Sequence, residues 1–148
     1  MIRSQSRPVE ILLVEDNPAD VRLIQEGFRE AKVHNLVHAV TTGQDALDFL
    51  RRRESHADAA RPDLILLDLN LPGIGGHEVL AEIKQDEALK AIPVVVLTSS
   101  ESEGDIARAY AAHANCFISK PVDFASLIGI VARIEDFWFS LVRFPERA

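Results

Sequence analysis

Five apolar runs, separated by segments with the period of a helix, constrain this chain more than any other feature. The runs are VEILLV (9–14), LVHAV (36–40), LILLD (64–68), IPVVVLT (92–98) and NCFIS (115–119). Strands that face water on one side alternate apolar and polar residues, whereas runs apolar at nearly every position read as strands buried on both faces. The intervening segments repeat apolar residues at helical spacing. Val21, Ile24, Phe28 and Ala31 mark the first, Ala46, Leu47 and Leu50 the second, and Val79, Leu80 and Ile83 the third. Ile106, Ala109 and Tyr110 mark a fourth, and Phe124, Leu127, Val131, Ile134, Trp138 and Leu141 predict a long final helix. Fivefold strand–helix alternation with right-handed crossovers predicts an α/β fold: an open, doubly wound, five-stranded parallel sheet with helices on both faces.

The chain has 148 residues, 47% of them hydrophobic, which is one domain with enough material for a full core. A net charge of -7 argues against nucleic-acid binding, which needs a basic face to displace counterions. No window reaches the roughly 18 consecutive apolar residues of a membrane span, and the basic start MIRSQSRPVE has no apolar core of a secretory signal. The single cysteine, Cys116, has no partner for an internal disulfide, so a reducing cytoplasm is the expected setting. The basic run at Arg51, Arg52 and Arg53 ends a predicted helix, where it complements the helix dipole or is solvated.

In open parallel sheets the ligand crevice lies outside the carboxyl ends of the strands. At those ends stand Glu15 and Asp16 after the first run, Asp68 after the third, Thr98 after the fourth and Lys120 after the fifth. Each alone reads as an ordinary polar residue at a strand end. Together they predict one site holding three carboxylates, a hydroxyl and an ammonium. Three ionised carboxylates at close quarters repel, and one must protonate unless a cation sits among them. A divalent ion and Lys120 supply the missing positive charge. Hard oxygen ligands with no nearby histidine or thiolate favour Mg²⁺ over zinc or copper.

A carboxylate, Mg²⁺, a lysine and a hydroxyl form a phosphoryl-transfer kit, in which Asp68 is the nucleophile and a metal ligand. Lys120 neutralises charge on the phosphoryl oxygens, and Thr98 donates a hydrogen bond to one of them. The chain has no P-loop or other nucleotide-binding glycine motif, so the donor is not a nucleotide that it holds itself. Pro72, Gly73, Gly75 and Gly76 let the loop after the nucleophile turn tightly.

LVEDNPAD, LLDLNLPGIGG, VVVLTSS and FISKPVD together resemble the receiver domains of two-component response regulators, with 30 residues from Asp68 to Thr98 and 22 from Thr98 to Lys120. The resemblance covers about residues 8–143, leaving 1–7 and 144–148 as tails, and implies a flavodoxin-like fold. It also implies that a histidine kinase passes a phosphoryl group to Asp68. Asp16, Asp68 and the backbone carbonyl of Asn70 would hold Mg²⁺, with Glu15 acting through water. Thr98 and Phe117 would form the switch, with phenylalanine where tyrosine is also common. A cis peptide is implied between Lys120 and Pro121. HANCFISKPVDF, IEDFWF and the long loop before the third strand resemble the single-domain regulators that serve bacterial phytochromes, a resemblance that implies no output domain after residue 148. A phytochrome kinase is then the expected partner, with at most slow self-dephosphorylation and no enzymatic activity besides.

Two other functions compete. A Mg²⁺ phosphohydrolase similar to the haloacid dehalogenase family would need a second aspartate two residues after the nucleophile, where this chain has Asn70. A non-phosphorylated scaffold would have no need of the intact set Glu15, Asp16, Asp68, Thr98 and Lys120.

The five histidines (34, 38, 56, 77 and 113) lack metal spacing and read as local hydrogen-bonders, Cys116 reads as an inert thiol in an apolar strand, and Arg3 and Arg7 read as solvated tail residues. In the final helix the stripe from Phe124 to Leu141 covers the sheet. Ile130, Phe137 and Phe144 form a second stripe at sevenfold spacing, with Phe139 also extra. Such a surface predicts a homodimer or a docked kinase; the plainer alternative is a wide helix face folded under the C-terminal tail.

Overall fold

The computed structural model describes residues 7–100 and 102–145, and leaves the side chains of Ser140 and Leu141 undescribed. Arg3 and the side chain of Leu141 therefore lie outside the described residues. The five apolar runs are strands β1 (Val9–Val14), β2 (Asn35–Val40), β3 (Leu64–Leu67), β4 (Val94–Thr98) and β5 (Cys116–Ser119). They form one parallel sheet in the order β2-β1-β3-β4-β5. The helices are α1 (Pro18–Arg29), α2 (Gly43–Leu50), α3 (Gly76–Gln85), α4 (Glu103–Ala111) and α5 (Phe124–Ile134), and a π-helical segment (Glu135–Leu141) continues from α5. The connection after α2 holds a single 3₁₀ turn, Glu54–His56.

The alternation of side chains along the inner strands explains why both faces needed helices. Leu12, Val14, Ile65 and Leu67 point into one core with Leu47, Val79, Leu80 and Ile83 of α2 and α3. Ile11, Leu13, Leu64 and Leu66 point into the other with Ile24 and Phe28 of α1 and Val131 and Ile134 of α5. Removing each such side chain from water contributes about 1.5–3 kcal/mol, so a one-residue slip of β1 or β3 would only exchange two equally apolar faces. Neighbouring strands and helix caps therefore set the register. Asn17 caps α1 by accepting from the Ala19 and Asp20 N–H groups with Pro18 at the first helical position, and Thr42, Ser102 and Asp123 cap α2, α4 and α5.

The C-terminal helix departs from the expected single α-helix. Its first half buries Leu127, Val131 and Ile134 as predicted, but Phe124 is exposed. From Glu135 the chain widens to π geometry, closed by the Val142 N–H donating to the Phe137 carbonyl at 2.9 Å. The wider turn directs two successive aromatics inward. Trp138 is buried, and Phe139 stacks on Phe28 with ring centroids 5.7 Å apart. The sevenfold stripe is broken for the same reason. Phe144 lies past the end of the helix and stacks on Trp138 at 6.2 Å, and Ile130 is half-buried against the α1–α5 core. Of the three, only Phe137 is exposed, with its edge against Trp138.

Candidate phosphoryl-acceptor and metal site

Strand register brings the carboxylates together. Val14 pairs with Leu67, so Glu15 and Asp68 leave the sheet side by side, and the Asp68 N–H donates to the Val14 carbonyl at 3.0 Å. These are adjacent strands from which the chain departs in opposite directions, the switch point where open α/β sheets form their crevice. On the other side Thr98 pairs with Ser119, and the Lys120 N–H donates to the Thr98 carbonyl at 2.7 Å.

The Lys120 ammonium ties the site. It donates to Glu15 Oε1 at 2.7 Å, to Asp20 Oδ2 at 2.8 Å and to Asp68 Oδ2 at 3.3 Å, using all three of its N–H groups. Glu15, Asp68 and the Lys120 side chain are buried, while Asp16 is exposed. Burial raises Glu15 to about 7; the bond from Lys120 opposes this and the nearby Asp68 adds to it. Burial disfavours the Lys120 ammonium, but bonds to Asp20 and Glu15 and the charges of Glu15 and Asp68 outweigh it and hold its pKa well above the ordinary range. The site therefore keeps a permanent cation beside Asp68.

The acidic loop is further ordered by the backbone. The Asn17 N–H donates to Glu15 Oε2 at 3.2 Å, and the Asn70 N–H donates to Asp68 Oδ1 at 3.1 Å. Carboxylate oxygens of Glu15, Asp16 and Asp68 all lie within 4.8 Å of one another, the one such cluster of potential metal ligands among the described residues. Three hard donors of this kind, one of them open to solvent, fit a divalent cation that retains water. Behind the loop, a Cβ on Gly76 would lie 2.4 Å from both the Asp68 carbonyl oxygen and Leu69 Cα, so α3 starts directly against the backbone that carries Asp68.

Thr98 is fully buried, and its hydroxyl oxygen accepts from the Ser100 N–H at 3.4 Å. Phe117 is half-buried against the α2–α3 core, with its N–H donating to the Tyr110 hydroxyl at 3.2 Å. The Lys120–Pro121 bond is trans, correcting the cis peptide that the resemblance implied; trans is the lower-energy isomer, and it already carries Lys120 to its three carboxylates. His38, His56 and His77 pair with Glu10, Asp45 and Asp105 at 2.6, 2.7 and 2.9 Å. Burial pushes the Cys116 thiol up, which keeps it protonated.

Asp20 was not among the residues singled out from the sequence. The Asn17–Pro18 helix start offered a signal, because it sets Asp20 in the first turn of α1, directly above the acidic loop.

The family model described as "Response regulator receiver domain" matches residues 11–132. The response regulator Rcp1 of Synechocystis sp. is 45% identical over 93% of this chain and 94% of its own length. The probable methanogenesis regulatory protein FilR2 of Methanothrix harundinacea is 44% identical over 93% of this chain and 88% of its own. In structure, the chain resembles the phosphorylated cyanobacterial phytochrome response regulator RcpA, with a TM-score of 0.92 and 50% identity, covering 95% of this chain and all of that one. The Mn²⁺-bound form of Rcp1 superposes with a TM-score of 0.91, covering 94% of this chain and all of that one. Among the described residues no helix is long and apolar enough to cross a membrane. The five-stranded parallel sheet, the carboxylates at its switch point and these matches lead to one conclusion: the chain belongs to the response regulator receiver domain family.

Proposed function

We propose that residues 8–143 act as a receiver that accepts a phosphoryl group from a histidine kinase onto Asp68, with Mg²⁺ as cofactor. The observation that carries this reading is the Lys120 ammonium bridging Glu15 and Asp68 beside the exposed Asp16. A carboxylate oxygen of Asp68 attacks the phosphorus of a phosphohistidine, the P–N bond breaks, and its electron pair returns to the donor imidazole. Lys120 holds the acceptor carboxylate and stays charged beside the incoming phosphoryl oxygens, while the Thr98 hydroxyl donates to one of them. Asp16, Asp68 and the Asn70 carbonyl would hold Mg²⁺, with Glu15 acting through water. When bound, the ion supplies further charge neutralisation at the phosphoryl oxygens. Slow self-dephosphorylation then resets the domain, and Thr98 and Phe117 carry the switch.

A phytochrome kinase is the proposed donor, supported by the likeness to RcpA over the full length of that chain. The reading places the protein in the cytoplasm, where such a kinase draws on ATP. It also includes a homodimer through the C-terminal helix, supported by the exposed Phe137.

The experiment is incubation with acetyl phosphate, and separately with a phytochrome kinase and radiolabelled ATP, comparing wild type with Asp68→Asn. Label on wild type and none on Asp68→Asn is the expected result. Label persisting on the variant removes Asp68 as acceptor, and unlabelled wild type leaves the non-phosphorylated scaffold. Multiple turnover of a small phosphate ester would favour the phosphohydrolase. Calorimetry with Asp16→Ala tests the metal; an unchanged Mg²⁺ affinity would remove Asp16 from the site.

A further inference from the structure

Thr98 is held from a direction that the phosphoryl-acceptor site does not account for. His77, the second residue of α3, directs Nε2 to Asp105 Oδ1 at 2.9 Å. The other carboxylate oxygen of Asp105 accepts from the Ser100 hydroxyl at 2.5 Å, and the Ser100 N–H donates to Thr98 Oγ1 at 3.4 Å. The loop is closed on itself by two more bonds: the Ser102 N–H donates to Ser100 Oγ, and the Asp105 N–H donates to Ser102 Oγ, both at 3.3 Å. Every link in the path from His77 to Thr98 is thus a hydrogen bond between groups on different elements or on the β4–α4 loop.

The path also has a fixed origin. His77 follows Gly76, whose N–H donates to the Leu69 carbonyl at 3.0 Å and where an added Cβ would collide with the Asp68 backbone. The His77 side chain is only 13% exposed, and its Nδ1 is buried with no hydrogen-bond partner. A proton on Nδ1 would be a buried donor with no acceptor, so the proton belongs on Nε2, which makes His77 a donor to Asp105. Bonds from Ser100 and His77 hold the Asp105 carboxyl below its ordinary range, so it remains an acceptor for both.

We infer that His77 is a positioning residue for the Thr98 hydroxyl, acting through Asp105 and Ser100, and that it fixes this hydroxyl relative to the loop bearing Asp68. The inference rests on the reading of Asp68 as phosphoryl acceptor. A donor held in place before the reaction stabilises developing charge better than one that must be ordered during it. The side-chain hydrogen bond of His77 goes to Asp105 and not to the acceptor or the metal ligands, so its loss is expected to change rate without changing metal binding.

The test is the rate of phosphorylation by acetyl phosphate with saturating Mg²⁺. It compares wild type, His77→Ala, His77→Gln, Thr98→Ala and the His77→Ala/Thr98→Ala pair, with Thr98→Val replacing Thr98→Ala if the latter does not fold. His77→Ala is expected to slow the reaction roughly threefold to tenfold at unchanged Mg²⁺ affinity. His77→Gln, whose amide N–H can reach Asp105, restores most of the rate. In the Thr98→Ala background the loss disappears, because a residue acting through Thr98 is not additive with it. An unchanged rate in His77→Ala, an equal loss in both backgrounds, or a fall in Mg²⁺ affinity overturns the inference while leaving the acceptor reading intact. Wild type that binds Mg²⁺ but takes up no phosphoryl group overturns both.

Discussion

The Lys120 ammonium donates to the Asp20 carboxylate at 2.8 Å, joining the end of β5 to the first turn of α1 across 100 residues of chain. Lys120 has two other carboxylate partners, so removing Asp20 does not leave a buried charge alone, and it also relieves some repulsion within the acidic cluster. Asp20→Asn is therefore expected to lower stability at neutral pH by about 1 kcal/mol, below the larger cost of stripping a buried charge of its only partner. Chemical denaturation measures this directly, and a variant as stable as wild type would show that the contact contributes nothing net.

That contact marks the boundary of what was legible in the sequence. Glu15, Asp68, Thr98 and Lys120 could be read because each ends an apolar run, and parallel pairing necessarily brings strand ends to one edge. Asp20 lies on a helix, and its approach to Lys120 depends on the angle at which the Asn17 cap launches α1, which no spacing encodes. The π-helical turn was hidden for a related reason. Its apolar residues Trp138 and Phe139 are adjacent in sequence, and that both face inward, Phe139 onto Phe28, follows from the widened turn rather than from the periodicity of an α-helix. The sevenfold spacing of Ile130, Phe137 and Phe144 assumed a continuous α-helix, and that assumption fails at Glu135.

Two neighbouring glycines should behave oppositely. A methyl group at Gly76 would meet backbone atoms of Asp68 and Leu69 at 2.4 Å, which cannot move aside as a flexible side chain could, whereas at Gly75 it would meet nothing within 4 Å. Gly76→Ala is expected to cost about 1–3 kcal/mol and to lower the rate of phosphorylation by displacing the Asp68 loop. Gly75→Ala, at a φ of -70° that alanine readily adopts, should leave both close to wild type. Thermal melts and acetyl phosphate labelling of the two variants decide it; equal behaviour would mean that α3 does not brace the loop.

Glu135 makes the stability of the C-terminal segment depend on pH. Burial, then the charges of Asp136 and Glu30, raise its carboxyl from an ordinary 4.5 to about 7. The folded protein thus binds this proton more tightly than the unfolded chain does. No penalty exists below about pH 4.5; stability falls as pH rises from there through about 7 and then levels off. The groove shared by Glu30, Glu135 and Asp136 is open to solvent, so screening reduces the effect to about 1 kcal/mol. Glu135→Gln should be more stable than wild type by that amount at pH 8 and equal to it near pH 4. A difference that grows toward low pH would contradict the sign.

Phe137 and Phe144 separate surface from core at the end of the chain, and the proposed homodimer can be tested on that difference. Phe137 is 51% exposed, whereas Phe144 stacks on Trp138 and packs against the α1–α5 core. Covering the exposed part of Phe137 in each of two copies contributes on the order of 1 kcal/mol apiece, short of the roughly 5 kcal/mol that dimers at high micromolar concentration require, so the rest of the C-terminal helix and its tail must add contacts and the association is weak. A charge at Phe137 opposes burial in the dimer without opening the fold, while Phe144→Ala removes a partner of Trp138 and destabilises the monomer itself. Sedimentation should therefore show dimers for wild type and monomers for Phe137→Glu at unchanged melting temperature. Phe144→Ala should melt lower yet keep its association below that temperature. Wild type that remains monomeric, or Phe137→Glu that dimerises as well as wild type, would show that this face is not the contact between copies.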